Sequence, residues 1–206
     1  MTVTDVVEYT KAKYKIFIDG EFAFVLYKGE LRQFKIYVGS EITEEMLEKA
    51  DEVILKRGKL RAMHLLEKRP YSEYTLRQKL SENFYSEEII DLVIEYLKGY
   101  KYIDDLSYAI AYLETYTGQK TVKRMRQDLM GKGIRSSDID EAINHCNDYG
   151  ELEDEHEMIR QLLKKRGFGA GEITQKDIYK TANFLMGKGF SSETVRYELR
   201  HFLETD

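Results

Sequence analysis

One arrangement of residues occurs three times in this chain, and it constrains the fold more than any other feature. The first window runs Leu76-Arg77-Gln78-Lys79-Leu80, Phe84-Tyr85-Ser86, then Ile89 to Ile94. The second runs Met125-Arg126-Gln127-Asp128-Leu129, Gly131-Lys132-Gly133-Ile134, then Ser137-Asp138-Ile139 to Ile143. The third runs Thr181-Ala182-Asn183-Phe184-Leu185, Gly187-Lys188-Gly189-Phe190, Ser191-Ser192, then Val195 to Leu199. Leu80, Leu129 and Leu185 align; so do Tyr85, Ile134 and Phe190, and Ile90, Ile139 and Val195. The pattern has a physical reading. A helix ends in leucine, a glycine accepts the left-handed conformation that closes it, and a large apolar side chain tucks back under the turn. A serine then caps a second helix whose apolar residues recur at spacings of three and four. Each window follows another helical stretch: Val53 to Arg69, Asp104 to Tyr116 and Glu151 to Arg166. The unit is therefore three helices of about 50 residues, and such units bury their faces by stacking on neighbours.

The residues before the repeats read differently. Tyr14, Ile16 and Ile18 alternate, Asp19-Gly20 suits a tight hairpin, and Phe22, Phe24 and Leu26 alternate with Ala23, Val25 and Tyr27. Both faces of this hairpin carry apolar residues, so the sheet should be covered on both sides or pack on a neighbour. Leu31 to Val38 fits either a short helix or a third strand and is expected to support the hairpin, which is marginal alone. Thr43 caps a helix whose first turn holds Glu44 and Glu45 and whose stripe is Met46, Leu47, Ala50, Val53 and Ile54. Gly58 is expected to weaken or bend it, and Pro70 stops the next stretch. The fold expected is mainly α. It consists of tandem three-helix repeats in an elongated array with a small N-terminal β-hairpin module. The boundaries are 1–42 for the hairpin and 43–103, 104–149 and 150–206 for the three repeats.

Charge and cysteine content narrow the function. The chain of 206 residues is 33% charged with a net charge of −5. That is rich in charge for one rounded globule and acidic for a general duplex-binding protein. One cysteine, Cys146, excludes an internal disulfide and a cysteine-rich zinc site. The longest apolar run, Phe22 to Tyr27, is far short of a membrane span, and Asp5 and Glu8 oppose a secretion signal. A cytoplasmic protein is expected.

Positive charge is nevertheless local. Lys120, Lys123, Arg124, Arg126, Lys132 and Arg135 put six cations against the single acid Asp128 within residues 118–135. On a helix, Val122, Met125 and Leu129 form the buried edge, and Lys120, Lys123, Arg124 and Gln127 are expected to point away together. Such a face meets phosphates or an acidic partner, or is simply solvated. Lys164, Lys165 and Arg166 form a second cluster, which also suits a helix C-terminus. Glu151, Glu153, Asp154, Glu155 and Glu157 suit a first helical turn. His156 among them, and His145-Cys146, lack further ligands at metal spacing, and no metal or other cofactor is expected. The two Gly-Lys-Gly triplets lack the Ser or Thr and the strand-to-helix setting of a phosphate loop. Gly167-Phe168-Gly169-Ala170-Gly171 reads as a flexible turn. Of the tyrosines, Tyr96, Tyr108 and Tyr112 fall on core-like spacings with the hydroxyl at the edge. Tyr71, Tyr74, Tyr100 and Tyr102 flank turns, where base stacking is the lesser reading. No catalytic constellation appears, and the protein is not expected to be an enzyme.

Several segments, in order, resemble the RecX family. They are Arg69-Pro70-Tyr71-Ser72 with Leu76 and Lys79-Leu80; Tyr102-Ile103-Asp104-Asp105-Leu106-Ser107-Tyr108-Ala109; Leu129 with Lys132-Gly133-Ile134; and Lys188-Gly189-Phe190-Ser191 with Val195-Arg196. Residues 50 to 205 are covered with family spacing. Thr75 and Thr121 depart from it, standing where an acid and a glycine are usual. The resemblance implies tandem three-helix repeats and no enzymatic activity. It also implies a partner: the RecA recombinase filament on single-stranded DNA, bound along its groove, whose strand exchange, ATP turnover and coprotease role are damped. The basic residues named above are then the candidate RecA- and DNA-binding surface of a monomer. DNA is met through the filament or directly. The alternatives are a nucleic-acid module acting without RecA and a helical adaptor for other proteins.

Overall fold

The computed structural model describes residues 1–150, 152, 154–169 and 173–205. The chain divides into two compact units, Met1–Asp104 and Asp105–Asp206. Apart from one small antiparallel sheet, the regular structure among the described residues is helical.

In the first unit, Lys13–Ile18 (β2) and Glu21–Tyr27 (β3) form the expected hairpin. Asp19 and Gly20 both take positive φ, 51° and 91°, as a two-residue turn requires. Leu31–Val38, open between helix and strand in the sequence, divides. Its start belongs to a short helix, Lys28–Gln33 (α1), and the third strand is instead Val3–Thr10 (β1), giving the order β1-β2-β3. The strand was hard to foresee because only Val3 of its residues is buried. Leu31, Phe34 and Ile36 still support the sheet, packing into the same core. The loop after them is stitched to the N-terminus: Val3 N–H donates to Ser40 O at 2.9 Å and Gly39 N–H to Val3 O at 2.8 Å.

Helix α2, Glu44–Leu66, starts at Thr43, whose Oγ1 accepts from Met46 N–H at 3.3 Å. It runs unbroken through Gly58, contrary to the expected bend. Gly58 is a packing residue: a Cβ there would lie 3.0 Å from Val93 Cγ2 and 3.3 Å from Tyr85 Cε1. Its lost helix propensity, about 1 kcal/mol, is offset by close approach to the helices that follow. These are α3, Glu73–Ser81, and α4, Glu87–Gly99. Sheet and helices share one apolar core, from Val3 and Ile16 through Leu76 and Leu80 to Ile103.

The second unit holds α5 (Asp105–Tyr116), α6 (Val122–Gly131) and α7 (Ser136–Asp148) around one cluster that includes Leu113, Leu129 and Cys146. Helices α8 (Glu155–Lys165), α9 (Gln175–Gly187) and α10 (Ser192–Thr205) surround another, which includes Leu163, Leu185 and Phe190. The repeated turn closes in the same way each time. Tyr85, Ile134 and Phe190 N–H groups donate to Leu80, Leu129 and Leu185 carbonyls at 3.4, 3.2 and 3.4 Å. This six-residue bond satisfies a carbonyl the helix end leaves open. The three leucines are fully buried. Ser86 and Ser191 cap α4 and α10 as expected, accepting from Ile89 and Thr194 N–H at 3.4 and 3.0 Å. The middle repeat departs: its cap position is Arg135, which makes no side-chain cap bond. Of the expected flexible turn, Gly167 and Gly169 take positive φ, while Ala170 and Gly171 lie outside the described residues.

Candidate interaction surface

The candidate cations do not all point outward together. Lys120 precedes α6 and turns back onto α5 rather than pointing away with Lys123. Its Nζ donates to Asp128 Oδ2 at 2.8 Å and to Tyr112 Oη at 2.7 Å, and lies 4.1 Å from the Tyr116 ring centroid. Tyr112 also donates to Asp128, at 2.9 Å. Burial alone would push the Asp128 carboxyl up. The bonds from Lys120 and Tyr112, with the charges of Lys120 and Arg124, outweigh it and hold the group below the ordinary aspartate range. The bond to Asp128, then that to Tyr112, holds the Lys120 ammonium above its ordinary value. A cation so engaged closes the α5–α6 corner and has little left for a ligand.

Arg126 is likewise answered, by Asp140 on α7. The first repeat contains the same pair fourteen residues apart, Arg77 with Asp91 at 2.6 Å. The pair belongs to the module and ties its second helix to its third. The repeat register carries it in the sequence, since Arg77 with Asp91 and Arg126 with Asp140 occupy equivalent positions. The third repeat has Ala182 and Arg196 at these positions and no such pair.

Lys123, Arg124 and Arg135 remain outward. Arg124 Nε lies 3.4 Å from Asp128 Oδ1, a loose contact, and the charge of Lys123 is felt at Glu155 in the first turn of α8. Burial, then Asp154, pushes the Glu155 carboxyl up, against the pull of His156 and Lys123. Arg135, with 81% of its side chain exposed, reaches Asp138 at 3.1 Å. Lys132 approaches the Tyr108 and Tyr112 rings at 6.0 and 5.9 Å. In the second cluster, Lys164 and Lys165 are exposed in the last turn of α8, where they oppose the helix dipole. Arg166 instead lies 4.0 Å from the centroid of Phe184, with Lys188 on the same ring at 5.2 Å.

The acidic segment behaves as local structure. Asp154 caps α8, accepting from His156 N–H at 3.2 Å, and Glu155 and Glu157 occupy the first turn. Glu151 and Glu153 lie outside the described residues. His156 Nδ1 sits 2.7 Å from Oε1 of the buried Glu198, so its partner is a carboxylate on α10. Cys146 is in the core. Among the described residues no group of three His, Cys, Asp or Glu side chains could hold a metal, and no helix is long and apolar enough to cross a membrane.

With this geometry in hand, the comparisons are specific. The chain is 32% identical over 196 residues, 93% of its own length and 90% of the other's, to the regulatory protein RecX of Clostridioides difficile strain 630. The chain belongs to the RecX family. The model of the first RecX three-helix domain matches residues 59–97, and that of the third matches 153–199. The regulatory protein RecX of Clostridium beijerinckii is 26% identical over the full chain and 97% of its own length. A crystal structure of regulatory protein RecX superposes with a TM-score of 0.63 at 26% identity, covering 97% of this chain and 98% of that one. These RecX relatives are named as regulators rather than as enzymes.

Proposed function

We propose that this protein binds RecA filaments assembled on single-stranded DNA and damps their strand exchange, ATP turnover and coprotease activity. The observation that carries the reading is family membership across nearly the whole chain, led by the 32% identity with a regulatory protein RecX. The module plan supports it. Three similar units offer many modest contacts to a partner that is itself repetitive, and linked contacts gain avidity that none has alone. The charge balance supports it too. A net charge of −5 disfavours general binding to duplex DNA, whereas outward cations at Lys123, Arg124, Arg135, Lys164 and Lys165 suit local contact with phosphate or acidic protein surface. In this reading Lys120, Arg126 and Arg166 shape the surface, and the protein works as a cytoplasmic monomer without a cofactor.

The test is RecA ATP turnover on single-stranded DNA with the purified full chain added. Turnover should fall as the protein is titrated in. The pair Arg124→Glu and Arg135→Glu should weaken the effect by about tenfold. Unchanged turnover at a stoichiometric excess over RecA would contradict the proposal.

A further inference from the structure

The turn that closes α4 carries more exposed aromatic surface than packing explains. Tyr96 and Tyr100 stand one helical turn apart with ring centroids 4.8 Å apart, and Tyr102 lies 6.1 Å beyond Tyr100 at an interplanar angle of 27°. Tyr100 is 64% exposed and Tyr102 50%. Two cations accompany the rings. Lys59 reaches from α2 to 4.4 Å from the Tyr96 centroid, and Lys101, which lies between the two outer tyrosines in sequence, is exposed. Lys98 is not part of this set, being paired with Glu73.

Lys101 is the informative residue. It takes φ +57°, a left-handed conformation that a side chain with a Cβ disfavours. Its N–H donates to Lys98 O at 2.9 Å, and Tyr102 N–H donates to Leu97 O at 2.9 Å, so the turn is a regular helix stop that glycine would close at no steric cost. The second repeat does this: in the register that aligns Leu80 with Leu129, Lys101 falls on Gly150, at φ +67°. Tyr96 and Tyr100 fall in the same register on His145 and Tyr149, whose rings are 4.7 Å apart. The first repeat thus carries a cation where the second has glycine, and adds Tyr102.

We infer that Tyr100, Lys101 and Tyr102, backed by Tyr96 and Lys59, form a stacking platform for bases of single-stranded nucleic acid. The near-parallel, solvent-open rings of Tyr100 and Tyr102 can accept unpaired bases of any sequence, while a duplex keeps its base faces inside its own stack. An exposed ammonium on the residue that joins the two tyrosines suits the phosphates of a strand whose bases stack there. This deepens the nucleic-acid half of the proposed function, and its test is independent of the filament half.

The test uses the full chain and a fluorescein-labelled oligothymidylate, read by anisotropy at low salt, with an unlabelled duplex as competitor. Tyr100→Ala with Tyr102→Ala should weaken binding at least tenfold while circular dichroism stays unchanged. Lys101→Gly should weaken it about threefold, lower the salt dependence by about one phosphate contact, and raise the melting temperature. Tyr149→Ala, whose ring lacks the neighbouring cation, should change affinity less than twofold. No binding by the wild-type chain, equal binding by the double tyrosine variant, or preference for duplex would overturn the inference. So would a double variant that keeps oligonucleotide affinity but loses its effect on RecA turnover, since the platform would then be a protein contact. Loss of oligonucleotide binding with wild-type action on RecA leaves the platform standing and separates it from filament regulation.

Discussion

The first and second three-helix modules close their helices with the same hydrogen bonds and hold them with the same ion pair, Arg77–Asp91 and Arg126–Asp140. They differ where each has left the least strained solution. The first puts Phe84 at φ +64° where the second has Gly133 at φ +77°, and Lys101 where the second has Gly150. The second puts Arg135 where the first has the capping Ser86. The Phe84 exception has a visible return: its ring lies 5.1 Å from Tyr9 and 6.0 Å from Phe22, with Lys15 at 4.0 Å, so it clips the sheet to the first repeat. Arg135 gains only an exposed contact with Asp138 at 3.1 Å, and Lys101 is exposed. The lesson is that a repeat supplies its own control, because one copy shows what another has given up.

Leu80→Ala and Leu129→Ala remove equivalent, fully buried side chains and should each cost about 3–4 kcal/mol in denaturant unfolding. A cost near 1 kcal/mol at either would mean that the modules are not packed alike. Gly189→Ala should cost about 2 kcal/mol, because its φ is +104° and the new Cβ would stand 2.6 Å from Thr121 Oγ1. Phe84→Gly relieves left-handed strain but loses the clip, and should still lower stability by about 1 kcal/mol. A gain would show that the ring does not anchor the sheet. Arg135→Ser should raise stability by about 1 kcal/mol by restoring the cap found in the other repeats, read as a higher Tm. The smallest effect concerns pH. Asp128 is held low in the folded state, so the stability it lends is present above the unfolded carboxyl value and is lost as pH falls through the folded one. Asp128→Asn should flatten the acid side of the unfolding profile.

How much was legible follows from these residues. The leucines, the closing turns, the serine caps and the Asp19-Gly20 hairpin could be read because each depends on chemistry local in the chain. Strand β1 could not, since an edge strand with one buried residue lacks a clear alternating pattern. Gly58 was read as a helix weakener because its reason, Val93 and Tyr85, lies on other segments. The basic segment was found by counting, but counting cannot show that Lys120 is held by Asp128 and Tyr112 or that Arg126 repeats Arg77. The left-handed Lys101 was within reach. The register already placed it on a glycine, and only the backbone angle made that alignment meaningful.

The most direct test of the account is co-sedimentation of the intact protein with RecA filaments on single-stranded DNA, beside RecA-free DNA of the same length. The account predicts that the protein pellets with the filament to saturation, and that Arg124→Glu with Arg135→Glu shifts it toward the supernatant. Intact, folded protein that stays in the supernatant at a stoichiometric excess of filament would contradict it.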